Sequence, residues 1–124
     1  MDTYTPGVCN IGPAEIAARQ HSGWIMTTVT LVVFLLFFFL KVPNVWRLIL
    51  FFPLTGAASG FLQGYYHFCA GYGFSGLYNV VKPLGETESV EKAEFRKADR
   101  AKALNIIGNS AVIGAVLAVI LVIL

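Results

Sequence analysis

Three stretches of this chain contain no charged side chain, and each is close to the length of a bilayer crossing: residues 22–40, 48–68 and 105–124. The hydrocarbon core of a membrane is about 30 Å thick and takes about 20 helical residues to span. A soluble helix of that length keeps a polar face, and these stretches have none. Charged residues make up only 13% of the chain, against about 25% in an ordinary soluble domain. The expected architecture is an all-α membrane protein with three transmembrane helices in a single membrane domain, residues 1–124. A net charge of +2 leaves no electrostatic footprint for nucleic acid. The expected surroundings are a lipid bilayer.

The segments between the apolar runs set the remaining expectations. Residues 1–21 form a polar, turn-rich N-terminal segment. It closes with a short interfacial helix from Pro13, a residue suited to a first helical turn. Glu15 and Arg19, four apart, are expected to pair on its wet face. Helix 1 covers 22–40, and a tight connection from Lys41 to Asn44 makes it an antiparallel hairpin with helix 2, 45–68. Pro53 is expected to bend helix 2, which a membrane helix tolerates when neighbours satisfy the freed carbonyl. Residues 69–88 read as a Gly- and Tyr-rich loop with a turn at Gly85. Ser89 is expected to cap a charged amphipathic helix, 89–104. On it Glu94 pairs with Lys97 and Asp99 with Lys102, and it runs unbroken into helix 3, 105–124.

Basic residues orient such a chain, because they collect on the cytoplasmic side. With three spans, the N-terminal segment and the second connection share a side. Together they carry seven basic residues, against Lys41 and Arg47 on the other side. The expected orientation has the N-terminus cytoplasmic and the C-terminus outside. Trp24, Tyr65 and Tyr66 then mark the inner interface and Trp46 the outer one.

Two features suggest function. Gly56, Gly60 and Gly64 lie four apart on one face of helix 2, a flat surface on which another helix can approach closely. Ser110, Gly114 and Ala118 offer a matching face on helix 3. These faces either pack on one another or dock a second copy or a larger complex. The second feature is a polar cluster expected at the inner end of the bundle: Arg19, His21, Gln63, Asn105 and Asn109, with Cys9, His67 and Cys69 nearby. Polar groups close to hydrocarbon are costly and often functional. The cluster either fixes the helix ends or forms a thiol, metal or ligand site. No cofactor is called for. Cys9, His21, His67 and Cys69 could in principle form a tetrahedral metal set, but they lack the paired spacing of established metal motifs.

Gly71-Tyr72-Gly73-Phe74-Ser75-Gly76 matches the dinucleotide fingerprint by letter. It follows a membrane helix and lacks the strand–turn–helix context that gives the motif meaning. It is expected to mark positive φ or close backbone approach instead.

Asn10-Ile11-Gly12, then Ala14-Glu15-Ile16-Ala17-Ala18-Arg19 and Gly23, resembles the opening of a family of small bacterial inner-membrane hairpins sometimes fused to rhodanese (sulfur-transferase) domains. Phe68-Cys69-Ala70-Gly71-Tyr72 is similar to the end of that family's second span. The resemblance covers about residues 9–79. It implies the hairpin topology and a cysteine, Cys69, at the cytoplasmic edge. The chain departs from the pattern in lacking Pro after the cysteine, in having a third helix and in carrying no rhodanese domain.

The function these features favour is a non-enzymatic accessory subunit of a homo- or hetero-oligomeric membrane assembly, with residues 89–102 facing a cytoplasmic partner. The alternatives are a membrane thiol, metal or sulfur-handling protein using Cys9, His67 and Cys69, and a small oligomeric channel or carrier lined by Gln63, Asn105 and Asn109.

Overall fold

The computed structural model describes residues 3–124; Met1 and Asp2 of the N-terminal segment lie outside the described residues. Three helical stretches are long and apolar enough to cross a membrane: Pro13–Phe39, Asn44–Tyr66 and Ala93–Ile123. The architecture is that of an all-α membrane protein. In chain order the elements are α1 (Pro13–Phe39), a 3-10 segment (Asn44–Leu50), α2 (Phe51–Tyr66), α3 (Ala70–Ser75), β1 (Leu77–Tyr78), β2 (Glu88–Ser89) and α4 (Ala93–Ile123). Helix α2 lies centrally, with α1 packed on one face and α4 on another.

Helix α1 is unbroken over 27 residues, so the short interfacial helix and the first span are one element. Pro13 occupies its first turn, where a missing N–H breaks no helical bond, and Glu15 lies near the positive helix end. The chain reverses at Lys41, which adopts a left-handed conformation with φ 56°.

The second crossing changes character along its length. Its first seven residues are 3-10, and the α-helical geometry begins at Phe51. Pro53 sits two residues after that change, where its missing N–H and its ring disfavour an α-helical bond to Ile49. The expected mid-helix bend is therefore a change of helix type near the start. The α2 helix ends at Tyr66, with His67 in the left-handed region (φ 56°) as its cap.

Residues 69–88 are more ordered than a loop. They form α3, closed by Gly76 at φ 72°, and then the antiparallel pair β1–β2, with Leu77 opposite Ser89 and Tyr78 opposite Glu88. Ser89 thus belongs to a strand and does not cap a helix. Helix α4 begins at Ala93 with Lys92 as its N-cap, and its 31 residues join the charged segment and the third span without interruption, as expected. At about 1.5 Å per residue it is about 46 Å long, so its first two to three turns project beyond the hydrocarbon.

Small residues set the interhelical contacts. The glycine face of α2 meets α1, not α4. A methyl group on Gly60 would lie 2.8 Å from both the Arg19 carbonyl oxygen and the Gly23 nitrogen. One on Gly64 would lie 2.7 Å from the Gln20 side chain, and one on Gly56 would touch Met26. Gly23 reciprocates by accommodating the Phe61 ring. On α4, Ser110, Gly114 and Ala118 are all buried, and a methyl group on Gly114 would collide with Thr55 of α2. Thr55 and Gly56 are neighbours in sequence, so about 100° of helix rotation separates the two faces. Both small-residue faces are therefore occupied within the molecule.

Candidate functional site

A polar cap closes the end of the bundle where α1 and α4 begin. Cys9, Asn10, Ile11 and Gly12 run as an extended segment between the end of α2 and the chain around Asn79. Asn10 and Ile11 donate backbone N–H groups to the His67 carbonyl, Gly12 donates to the Asn79 carbonyl, and Asn79 donates back to the Asn10 carbonyl. The Asn10 side chain brackets Cys69. Its amide nitrogen donates to the Cys69 carbonyl at 3.1 Å, and its oxygen accepts from the Cys69 N–H at 2.6 Å. Gly12 is required here because any side chain would strike the Val80 carbonyl.

Glu15 is the hub of the cap and is almost wholly buried, 1% exposed. One carboxylate oxygen accepts from the Tyr72 hydroxyl (2.7 Å), the Asn79 amide (3.0 Å) and the Gly85 N–H (2.8 Å). The other meets Arg19 Nη2 at 3.2 Å. The expected Glu15–Arg19 pair is present, but the carboxylate lies inside the cap and not on a wet face. All four partners donate, so the site is built around the ionised acid. Tyr72 is correspondingly held neutral: burial first, and then its bond to the Glu15 carboxylate, push its hydroxyl up to about 12. Arg19 also lies 5.7 Å from the centre of the Tyr72 ring and donates to the Cys69 sulfur at 3.0 Å.

A second buried acid, Asp99 of α4, fixes the N-terminal turn. It accepts from the Tyr4 hydroxyl at 2.6 Å and the Gly7 N–H at 2.7 Å. Tyr4 in turn stacks on Tyr78 with ring centres 4.5 Å apart. Asp99 therefore faces inward and is not engaged by Lys102, whose ammonium lies 3.8 Å from the centre of the Tyr66 ring. In the Gly71–Gly76 run, Gly76 supplies the positive φ. Gly73 permits close approach, since a methyl group there would lie 3.0 Å from the Asp99 carbonyl. Both roles match the structural reading of that motif.

The five residues expected in one polar cluster occupy different places. Arg19 joins the Glu15 hub. His21 is exposed on α1. Gln63 donates to the Ser59 carbonyl and hydroxyl, and its oxygen accepts the Ala70 N–H that opens α3. Asn105 and Asn109 are exposed on α4 and bond to one another at 3.2 Å. Cys9 and Cys69 are both buried, with the Cys9 thiol donating to the Ile11 carbonyl at 3.5 Å, whereas the His67 side chain is exposed. Among the described residues, no three His, Cys, Asp or Glu side chains are grouped to hold a metal ion.

The outward position of Asn105 and Asn109 is the functionally suggestive one. Leu121, near the other end of α4, accepts a bond from Arg47 beside the Lys41–Asn44 connection. Counting back at 1.5 Å per residue, Asn109 lies about 18 Å and Asn105 about 24 Å from that level, so a core of about 30 Å starting there holds Asn109 well inside and Asn105 about 6 Å from its far edge. Gly108 lies between them, and a methyl group there would meet nothing within 4 Å. Val112 and Ala115 continue the same exposed stripe, on the side of α4 opposite Ile106, Ser110 and Gly114.

From the sequence alone, Asn10, Tyr72, Asn79 and Arg47 had no expected role in a site. The Asn10-x-Gly12 spacing was the available signal for the first. The others act through partners distant in sequence. No protein-family model, no curated protein and no solved structure matches this chain.

Proposed function

We propose that this chain is a non-enzymatic accessory subunit of a membrane assembly and docks through the outward face of α4. The observation that supports this is the pair Asn105 and Asn109, which point away from the bundle about one and two turns inward from Lys102, with open space at Gly108 between them. Lipid offers an amide no hydrogen-bond partner, whereas a neighbouring helix does, at about 1 kcal/mol per bond. A second copy is the simplest partner, because asparagine both donates and accepts and so complements itself across a two-fold axis.

The polar cap supports the same reading. Its buried side chains hold backbone segments together, which makes it a rigid platform beside the charged first turns of α4. The surplus of basic residues on the cap side favours a cytoplasmic cap and an external C-terminus, in a bacterial inner membrane if the hairpin resemblance holds. Tags at Met1 and Leu124 should then report opposite sides, and tags on one side would remove this topology.

Gly108→Leu tests the docking face cleanly, because the new side chain disturbs no internal contact. The variant should fold normally and run as a smaller particle than the wild type in mild detergent. Unchanged size and unchanged co-purifying partners would refute this reading.

A further inference from the structure

At the opposite end from the cap, α1 and α4 both pack on α2 but hardly touch each other. The space between them is an apolar groove of about 250 Å³, lined among others by Leu31 and Phe34 of α1, Leu54 of α2, and Leu117, Ile120 and Leu121 of α4. Thr27 and Thr30 also reach it, but their hydroxyls donate to the Gly23 and Met26 carbonyls. The wall is therefore hydrocarbon in character.

Arg47 stands at one end of this groove. Its Nη1 donates to the Leu121 carbonyl at 2.9 Å, and its guanidinium lies 5.0 Å from the centre of the Phe34 ring. Leu121 and Phe34 are both groove residues, so charge and groove share a border. Arg47 is only 4% exposed, and its Nε is buried without a hydrogen-bond partner. Among the described residues the ion pairs are Arg19–Glu15 and Lys82–Glu88, and neither involves Arg47. No Asp or Glu side chain occurs between Glu15 and Glu86 or after Asp99, and among the described residues the carboxylate of Leu124 makes no ion pair with Arg47 either. Glu15 lies about 36 Å away along α1 from Phe39. A largely desolvated guanidinium without an anion is costly.

We infer that the groove and Arg47 form a site for an anionic phospholipid, with one acyl chain in the groove and the phosphate at the Nε edge of Arg47. The groove recognises hydrocarbon, and its lining residues belong to the three apolar spans. Arginine binds phosphate through paired N–H groups, one of which is the unpartnered Nε. This site lies at the far end of the molecule from Asn105 and Asn109 and does not depend on the docking face.

The test uses the full-length protein in mild detergent, mixed in turn with phosphatidylglycerol and phosphatidylcholine of the same acyl chains, with bound lipid counted by native mass spectrometry. The wild type should retain one phosphatidylglycerol per chain with a preference of about tenfold over phosphatidylcholine. Arg47→Gln should abolish that preference while leaving weak retention of both lipids. Leu117→Trp, which fills the groove and keeps the charge, should abolish retention of both. Equal retention of the two lipids by the wild type would overturn the site. So would preference unaltered in both variants, or a lipid-free dimer that Leu117→Trp converts to monomer, because a second copy would then occupy the groove.

Discussion

Replacing Gly60 with Ala adds one methyl group at the tightest point between α1 and α2, and the structure gives the sign and size of its effect. The methyl would sit 2.8 Å from the Arg19 carbonyl oxygen and the Gly23 nitrogen and 3.0 Å from the Gly23 Cα. These are main-chain atoms of a helix, so no side chain can swing aside and α1 itself must move. Overpacking of this kind costs about 3 kcal/mol, at the upper end of the usual range. Alanine's greater helix propensity returns about 1 kcal/mol, leaving a net loss of about 2 kcal/mol. In the monomeric chain the same change at Gly108 meets open space and should gain up to about 1 kcal/mol from propensity alone. The two variants, identical in chemistry, should thus differ by about 3 kcal/mol. Unfolding in mixed micelles with increasing SDS can be followed by tryptophan fluorescence, because Trp24 of α1 packs edge-on against Phe61 of α2 with ring centres 5.2 Å apart. Equal midpoints for Gly60→Ala and Gly108→Ala would refute the assignment of the glycine face to α1.

The Glu15 hub makes two further predictions. Glu15→Gln leaves Arg19 without its counter-charge and the three other donors with a weaker acceptor, so the thermal midpoint in detergent should fall by an amount equivalent to about 2–3 kcal/mol; an unchanged midpoint would remove the hub from the account of stability. Tyr72, raised from 10.0 to about 12 by burial and by Glu15, keeps its proton in the folded state after the unfolded chain has lost its own. Its contribution is fully present below pH 10 and is lost as pH climbs towards 12, and Tyr72→Phe should flatten that part of the pH–stability curve.

The spans were legible because charge is excluded from hydrocarbon over a fixed length, a constraint that acts on each stretch alone. The hairpin of α1 and α2 followed from the short Lys41–Asn44 connection. The partner of the glycine face was not legible, since glycines announce close approach without naming the neighbour. The short connection favours α1, but a plausible small-residue match on α4 pointed elsewhere. The buried state of Glu15 escaped for a related reason. Its local pattern, an acid four residues before a base, is that of a wet helix face. The groups that neutralise and cover it, Tyr72, Asn79 and Gly85, are 57 to 70 residues away. The grouping of Gln63 with Asn105 and Asn109 assumed that residues at one depth face one another. Depth follows from sequence position, but facing depends on helix rotation, which packing decides.

The docking face is tested most directly by single cysteines placed along α4 from residue 104 to 116 and oxidised in native membranes. Cross-linking should peak at positions 105, 108, 109 and 112 and be weakest at 106, 110 and 114. A maximum on the 106–110–114 face, or a flat profile along the helix, would contradict an assembly built on the outward face of α4.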